Sequence, residues 1–580
     1  MAARLTGFLV VLIVAATVIA GLIVGAQRDD ESGPVDLLVY NGKVFTADGR
    51  ATFAEAVAVR GNQVLRVGTN REIKPLRRKA TVVIDAHGGA VLPGFNDSHL
   101  HFLSGGLALE KVDLLDATTL EQIQQKIRDF AAAHPERPWV LGRGWYYEPF
   151  PGGLPTRDLL DALVADRPAQ MVAYDGHTAW VNTKALALAG ITRDTPNPRN
   201  GVVVKDPATG EPTGVLKEAA MSLVSKVVPE PSRDDRRRAL RAAIELAHQF
   251  GVTSVQNAHG SLDEFELYDE LRKQDGLKVR VYSALSADGS LTPARADEFD
   301  AIRTRYPDDP IFKTGAIKLM IDGVVEAHTA AMLAPYANRP GVTGTPMMSQ
   351  ADLDRVVAMM DKRGWQVMIH AIGDAGIRMS LDAFAHAAAV NPAPARGRRH
   401  RIEHIETTDP ADVPRFGTLG VIASMEPFHA NPSPNQIGVW AGNIGPERAA
   451  RGWVYRGIHE SGGRLAFGSD WPVVTLDPRF GINMAVNRTT PEGTPEGGWH
   501  ADQKLPLAVA LEAYTSGAAY ASFDEQRKGR IAPGMLADLV VMSADVFAAP
   551  PAKLLDAKVD VTIFDGRVVF DRTRPQPSTD

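Results

Sequence analysis

The stretch PGFNDSHLHF, residues 93–102, sets His99 and His101 one residue apart behind a Pro-Gly turn. In a β-strand alternate side chains share a face, about 6.5–7 Å apart along it, so two imidazoles at this spacing can reach one point. At a strand's C-terminal end they can supply half of a metal site. Further coordinating or ionisable groups follow: Lys318 in AIKLMIDG, His370 in IHAIGD, His404 in IEHIE and Asp470 in FGSDWP. Each has a plain structural alternative. Lys318 could be a solvated strand end, His370 a core histidine bonded to backbone, His404 a partner of Glu403 or Glu406, and Asp470 an N-cap. Their joint arrival at strand ends points to chemistry.

The elements that must position these groups are legible as short apolar runs. The runs are GVTSVQNA at 251–258, LKVRVYSAL at 277–285, GAIKLMIDG at 315–323, WQVMIHAIGD at 365–374, HRIEHIE at 400–406, GVIASMEP at 420–427 and GRLAFGSDWP at 463–472. Amphipathic segments separate them, which is the pattern of βα units and a parallel sheet. With the His99 strand there are eight, the number that closes a (β/α)8 TIM-like barrel, whose chemistry sits at the C-terminal strand ends.

On these residues the sequence resembles the metal-dependent amidohydrolase superfamily. Within it the nearest likeness is to the amidohydrolase-3 group, with its YtcJ-like proteins and N-substituted formamide deformylases. LPTRDLLDAL at 154–163, YDGHTAWVNTKAL at 174–186 and GVLKEAA at 214–220 carry the likeness further, over nearly all of 36–570. The resemblance implies two divalent metal ions, one held by His99, His101 and Asp470 and the other by His370 and His404, with a carboxylated Lys318 bridging them. An unmodified ammonium has no lone pair and would repel a cation, whereas carbamylation by CO2 would convert it to an anion. Zinc is the first choice for nitrogen and oxygen ligands with open positions, ahead of Mn, Co, Ni or Fe.

The expected activity is hydrolysis of an amide-like, non-peptide C–N bond of a small molecule by metal-activated hydroxide, with Asp470 as proton shuttle. A mononuclear deaminase, a lactone or ester hydrolase, and a noncatalytic binding protein on the same barrel are the alternatives. Trp145, Tyr146 and His177, from the aromatic stretches WYYEPF and YDGHTAWVN, and Asp322 from the fourth strand's loop are the candidate substrate contacts.

Bulk properties agree with an enzyme-sized globular chain. Its 580 residues exceed what one core organises, and 44% hydrophobic with 23% charged residues is an ordinary globular balance. Sixty-nine acidic against 63 basic residues give a net charge of −6, with no long basic run, so nucleic acid is not an expected partner. The absence of cysteine rules out disulfides and thiolate metal sites. Homo-oligomerisation is left open.

The organisation expected is an N-terminal anchor or signal peptide plus linker at 1–35, a β-sandwich from 36–90 and 521–575, the barrel from 91–110 and 236–520, and an insertion at 111–235 that shapes the substrate pocket. The uncharged run Phe8 to Ala26 is 19 residues long, near the length that spans a bilayer, and Val24-Gly25-Ala26 fits a cleavage site. It predicts an exported, periplasmic or extracytoplasmic protein, held at the membrane if the segment is uncleaved and released if it is cleaved.

Overall fold

A computed structural model of the chain describes residues 35–574, apart from Glu148, Asp175, His177 and Asn200. The chain divides into two compact units, Met1–Phe102 together with Ile244–Asp580, and Leu103–Ala243.

The first unit holds eight parallel strands hydrogen-bonded in chain order: β1 (Phe95–Leu100), β2 (Val252–Gly260), β3 (Arg280–Ser286), β4 (Phe312–Met320), β5 (Gln366–Ala371), β6 (Arg401–His404), β7 (Ile422–Met425) and β8 (Arg464–Phe467). Strands covered on both faces read as continuous apolar runs rather than alternating ones. β5, QVMIHA, is buried at every position. The barrel is nearly closed. At the seam between β8 and β1, the Asp470 amide donates to the His99 carbonyl at 2.7 Å and the His101 amide to the Trp471 carbonyl at 2.8 Å. Gly468 is required there, because a Cβ would lie 2.5 Å from the His99 nitrogen.

Inside the barrel a buried polar network fills part of the core. Arg401 donates to Glu403 Oε1 at 2.6 Å, to Gln256 Oε1 at 2.5 Å and to the Ser98 carbonyl at 2.7 Å, tying β6 to β2 and β1.

Both chain ends build the flanking sandwich. One sheet pairs Gln63–Gly68, Ala56–Arg60, Leu37–Tyr40 and Val82–Asp85 in that order, all from the N-terminal side. In the other, Leu539–Met542 runs antiparallel to Ala90–Pro93, with Val540 opposite Leu92. Leu37 and Val57 of the first sheet share a core with Val91, Leu539 and Ile563 of the second.

The second unit is a six-stranded mixed sheet, from Gly201–Lys205 at one edge to Val112–Asp113 at the other. It is wider than the 111–235 read from sequence. Helix Phe102–Leu109 passes so close to helix Arg233–Gln249 that a Cβ on Gly106 would lie 2.3 Å from the Ala239 carbonyl oxygen, so the outgoing and returning chain pack together.

The expectation of export or membrane anchoring is corrected here. Phe8 to Ala26 lies outside the described residues, and among the described residues no helix is long and apolar enough to cross a membrane.

Candidate metal centre

His99, His101, Lys318, His370, His404 and Asp470 line one cavity of about 460 Å³ at the C-terminal ends of the strands. His99 and Lys318 lie within β1 and β4, His370 is the penultimate residue of β5, His404 ends β6, and His101 and Asp470 follow β1 and β8. The His99 and His101 rings are 5.8 Å apart, those of His370 and His404 4.4 Å.

Asp470 is the hub. Its Oδ1 lies 3.1 Å from His101 Nε2 and 3.6 Å from His99 Nε2, and its Oδ2 lies 3.9 Å from His429 Nε2. Oδ1 is buried without a hydrogen-bond partner among the described residues. A buried carboxylate oxygen left in this state costs free energy that a bound cation would offset. Two three-ligand sets meet on Asp470, with ligand atoms in each within 4.8 Å of one another: His99 and His101, and His404 and His429. This nitrogen and oxygen donor set fits a first-row divalent ion.

The local backbone serves the placement. His404 and Asp470 have φ of 73° and 58°, in the left-handed region that non-glycine residues occupy at a cost of about 1–3 kcal/mol. Such strain persists only where surroundings fix it; at Asp470 the amide bond to the His99 carbonyl does so.

Two acidic side chains lie behind the imidazoles. His99 Nδ1 is 2.5 Å from Glu403 Oε2, and His404 Nδ1 is 2.8 Å from Glu426 Oε2. The Glu403 carboxylate at His99 Nδ1 holds the proton there and leaves Nε2 as the free donor atom, whereas Glu426 lies against His404 without a hydrogen bond. Burial lowers the basicity of His99 and His370 well below the usual imidazole range and takes His404 down to about 3, so these rings are neutral, as ligands must be. Burial alone would raise the Asp470 pKa. The close approach of His101 Nε2, at 3.1 Å, and the neighbouring rings of His404 and His429 outweigh it and hold the carboxyl well below the usual range.

Lys318 is buried, its Nζ 3.3 Å from His99 Nε2. Desolvation lowers its pKa against the opposing pull of Glu403, Asp470 and Glu426, which favours the neutral amine.

Trp145, Tyr146 and Asp322, read as substrate contacts, are not among the residues that line this cavity. Trp145 is fully buried in the core of the second unit, its Nε1 donating to the Met171 carbonyl at 2.9 Å, with Phe150 packed edge-on 5.4 Å away. That placement corrects its reading as a pocket-wall residue: the ring's area is spent on packing. Tyr146, half-buried in the same unit, stacks on Tyr174 at 4.8 Å. His177 lies outside the described residues. Asp322 is also corrected. It is fully buried and accepts from the amides of Ala331, Ile372 and Gly373 at 2.8, 3.1 and 2.9 Å, tying the loop after β4 to the end of β5, although burial pushes its pKa up to about 7.

Sequence reasoning missed Glu426 and His429. Glu426 follows directly on β7, so an ionisable group at that strand end was there to be read. His429 sits on the short turn Pro427–Ala430, three residues further on. Glu403, which the sequence offers as a partner of His404, instead meets His99 Nδ1.

A parallel barrel with a carboxylate set among imidazoles at its C-terminal mouth defines a metal-dependent hydrolase. The chain belongs to the amidohydrolase family, whose Amidohydro_3 model matches residues 82–570. It is 32% identical over 523 residues to Protein LONG AFTER FAR-RED 3 of Arabidopsis thaliana, covering 88% of this chain and 87% of that one. It is 26% identical over 549 residues to the N-substituted formamide deformylase of Arthrobacter pascens, covering 93% and 99%. Among solved structures it resembles a metal-dependent hydrolase from Pyrococcus horikoshii OT3, with a TM-score of 0.72, 25% identity, and coverage of 89% and 99%.

Proposed function

We propose that the chain hydrolyses an amide-like, non-peptide C–N bond of a small molecule, using two divalent ions, zinc by preference, and Asp470 as the proton carrier. The observation that carries this reading is the buried Asp470 with Oδ1 3.1 Å from His101 Nε2 and 3.6 Å from His99 Nε2 at the barrel mouth. One ion would be held by His99, His101 and Asp470, the other on the His404 side, with Lys318 in carboxylated form between them. Bound there, divalent ions supply activation of a water nucleophile and polarisation of the scissile carbonyl.

The residues do the rest. Asp470, held ionised, accepts the proton of the attacking water and returns it to the departing amine, so one carboxylate acts first as base and then as acid. Glu403, backed by Arg401, fixes the ring of His99, and Glu426 lies against that of His404. Burial favours the neutral Lys318 amine, the form that adds to CO2 with loss of a proton. A cavity of about 460 Å³ suits a small molecule. Apolar Met320, Val324 and Phe428 and acidic Glu326 and Glu406 line it, offering an apolar surface and acceptors for a substrate N–H. Likeness to the N-substituted formamide deformylase of Arthrobacter pascens supports the choice of bond.

The test is a substrate panel of formamides, N-acyl amines, cyclic amides, lactones and aryl esters, run on purified protein with metal analysis alongside. Chelator-sensitive release of an amine from amides is the expected result. Turnover confined to lactones or esters would overturn the choice of bond. Release of ammonia by protein carrying a single ion would favour a deaminase.

A further inference from the structure

The second unit holds a cavity of its own, about 550 Å³, lined wholly by residues of that unit. Its floor is one face of the six-stranded sheet. Val112, Val140, Ala169 and Met171 share a core with Ile123 and Ile127 of the helix Leu120–Ala133, so by alternation Leu141, Gln170 and Val172 face the other way, into the cavity. Gln170 stands in a cross-strand row between Leu141 and Val181, a polar residue with two apolar neighbours. It is only 7% exposed, and neither polar atom of its carboxamide has a hydrogen-bond partner among the described residues. A buried amide in that state costs free energy that a bound polar group would offset.

We propose that this cavity binds a small apolar molecule bearing a carboxylate, whose acid group meets the Lys111 ammonium and the Gln170 carboxamide N–H while its body lies against Trp139, Leu141, Val172 and Val228. Lys111 directly precedes the edge strand Val112–Asp113, and Val112 pairs with Gly142, so Lys111 lies level with Leu141 and Gln170 in the same row. Two strand spacings, about 10 Å, separate its backbone from that of Gln170. Both side chains can reach one carboxylate lying over Leu141. Although the Lys111 side chain reaches water, burial and the neighbouring Arg143 lower its pKa, and no carboxylate is among the groups that act on it. The acids of the lining are otherwise engaged or in water. Glu110 pairs with Arg137 at 3.1 Å, Asp235 pairs with Arg238, Glu136 lies 3.4 Å from His134 Nδ1, and Glu230 is exposed. Lys111 is therefore the lining cation that lacks an anion, and the apolar wall beside it selects for the body that carries one.

The experiment is calorimetric titration of the zinc-loaded full chain with phenylacetate and hexanoate, beside the alcohols 2-phenylethanol and hexanol and inorganic phosphate. The acids are expected to bind, and the alcohols and phosphate to bind at least about tenfold more weakly, the scale of losing one charge-assisted hydrogen bond. No binding of either acid, or phosphate binding as tightly, would overturn the proposal. Lys111→Met and Gln170→Leu should each weaken the acids at least about tenfold with zinc content unchanged. The thermal midpoint of Gln170→Leu should hold or rise, because an unpartnered amide gives way to an apolar side chain. A fallen midpoint with parent affinity would make Gln170 structural and overturn its part. Acids also coordinate zinc, and Asp470→Asn separates that site: affinity lost there but kept in the Lys111 and Gln170 variants would place the acid at the barrel mouth and overturn the proposal. Anomalous diffraction from crystals grown with 4-bromophenylacetate reads the same point without a variant. Bromine beside Trp139 is the expected result, and bromine at the barrel mouth alone would overturn it.

Discussion

The barrel mouth and the core of the second unit are both rich in aromatic and heterocyclic rings, and they use them in opposite ways. In the second unit each ring is spent on contact. Trp145 meets Phe150 and Tyr147 edge-on at 5.4 and 5.0 Å, Phe150 meets Trp180 at 5.4 Å, and the indole N–H groups of both tryptophans end on backbone carbonyls. At the mouth the polar atoms are left wanting. Asp470 Oδ1, His429 Nε2 and both oxygens of Glu426 are buried without hydrogen-bond partners among the described residues, and His404, Ile405 and Asp470 hold left-handed backbone. Satisfied groups mark a region selected for stability, and unsatisfied ones a region selected for binding.

The largest effect that would test this contrast is Trp145→Ala. Emptying a fully buried indole site costs about 3–5 kcal/mol. The expected result is a large fall in stability by denaturant titration with zinc content per folded chain unchanged. Loss of bound zinc in folded protein would break the comparison, since it would give Trp145 a part in the site.

Asp470→Asn attacks the other region. It keeps the shape and a carbonyl oxygen while removing the base. Turnover should fall by about 10² or more, with substrate binding less affected. The rate must be compared at measured metal occupancy, because lost zinc would lower it without any bearing on proton transfer. Near-parent turnover by a metal-replete variant would remove Asp470 from the shuttle role.

The same contrast explains what the sequence could tell. Barrel strands were legible because double-sided burial forces continuous apolar runs, and their ligand-bearing ends because polar groups interrupt those runs at one point: HLH at the end of β1, the histidines at the ends of β5 and β6, Asp470 after β8. The sandwich was legible from turn-rich strands at both chain ends. Trp145 was misread because an aromatic side chain has the same identity in a pocket wall and in a core, and only its neighbours decide. Asp322 was misread for a related reason: a carboxylate beyond a strand end serves a ligand or loop amides equally well, and the three amides that claim it come from two separate loops. His429 stayed hidden because it lies beyond the strand, on a turn whose direction no local pattern sets.

A smaller effect separates orientation from stability. Glu426 is buried against His404 Nδ1, and burial raises its pKa well above the carboxylate range. Glu426→Gln keeps the size but changes what His404 Nδ1 meets, and such changes typically cost about 10–100-fold in metal affinity. Zinc competition with a chromophoric chelator should show that loss for one ion only. The thermal midpoint should move little, because no arginine or lysine forms an ion pair with Glu426 among the described residues. A large drop in midpoint with unchanged zinc affinity would make Glu426 a structural residue and place it with Trp145.

The smallest expected effect asks whether the ions stabilise only the region whose atoms are unsatisfied. A ligand at about ten times its dissociation constant adds about 1.4 kcal/mol to any opening that releases it, or about tenfold in protection from hydrogen exchange. The amides to follow at the mouth are those of His101, Ile405 and Asp470, which donate to the carbonyls of Trp471, Ala371 and His99 at 2.8, 3.2 and 2.7 Å. Opening any of these bonds displaces a residue that carries a ligand atom or adjoins one. In the second unit, the paired strands Val140–Trp145 and Ala169–Ala173 provide the control, since their local openings release no ion. Chelation should therefore speed exchange at the three mouth amides about tenfold and leave the control strands at their parent rates. Equal acceleration in both regions would mean that metal stabilises the chain globally, and the unsatisfied atoms at the mouth would lose their meaning as the mark of a binding site.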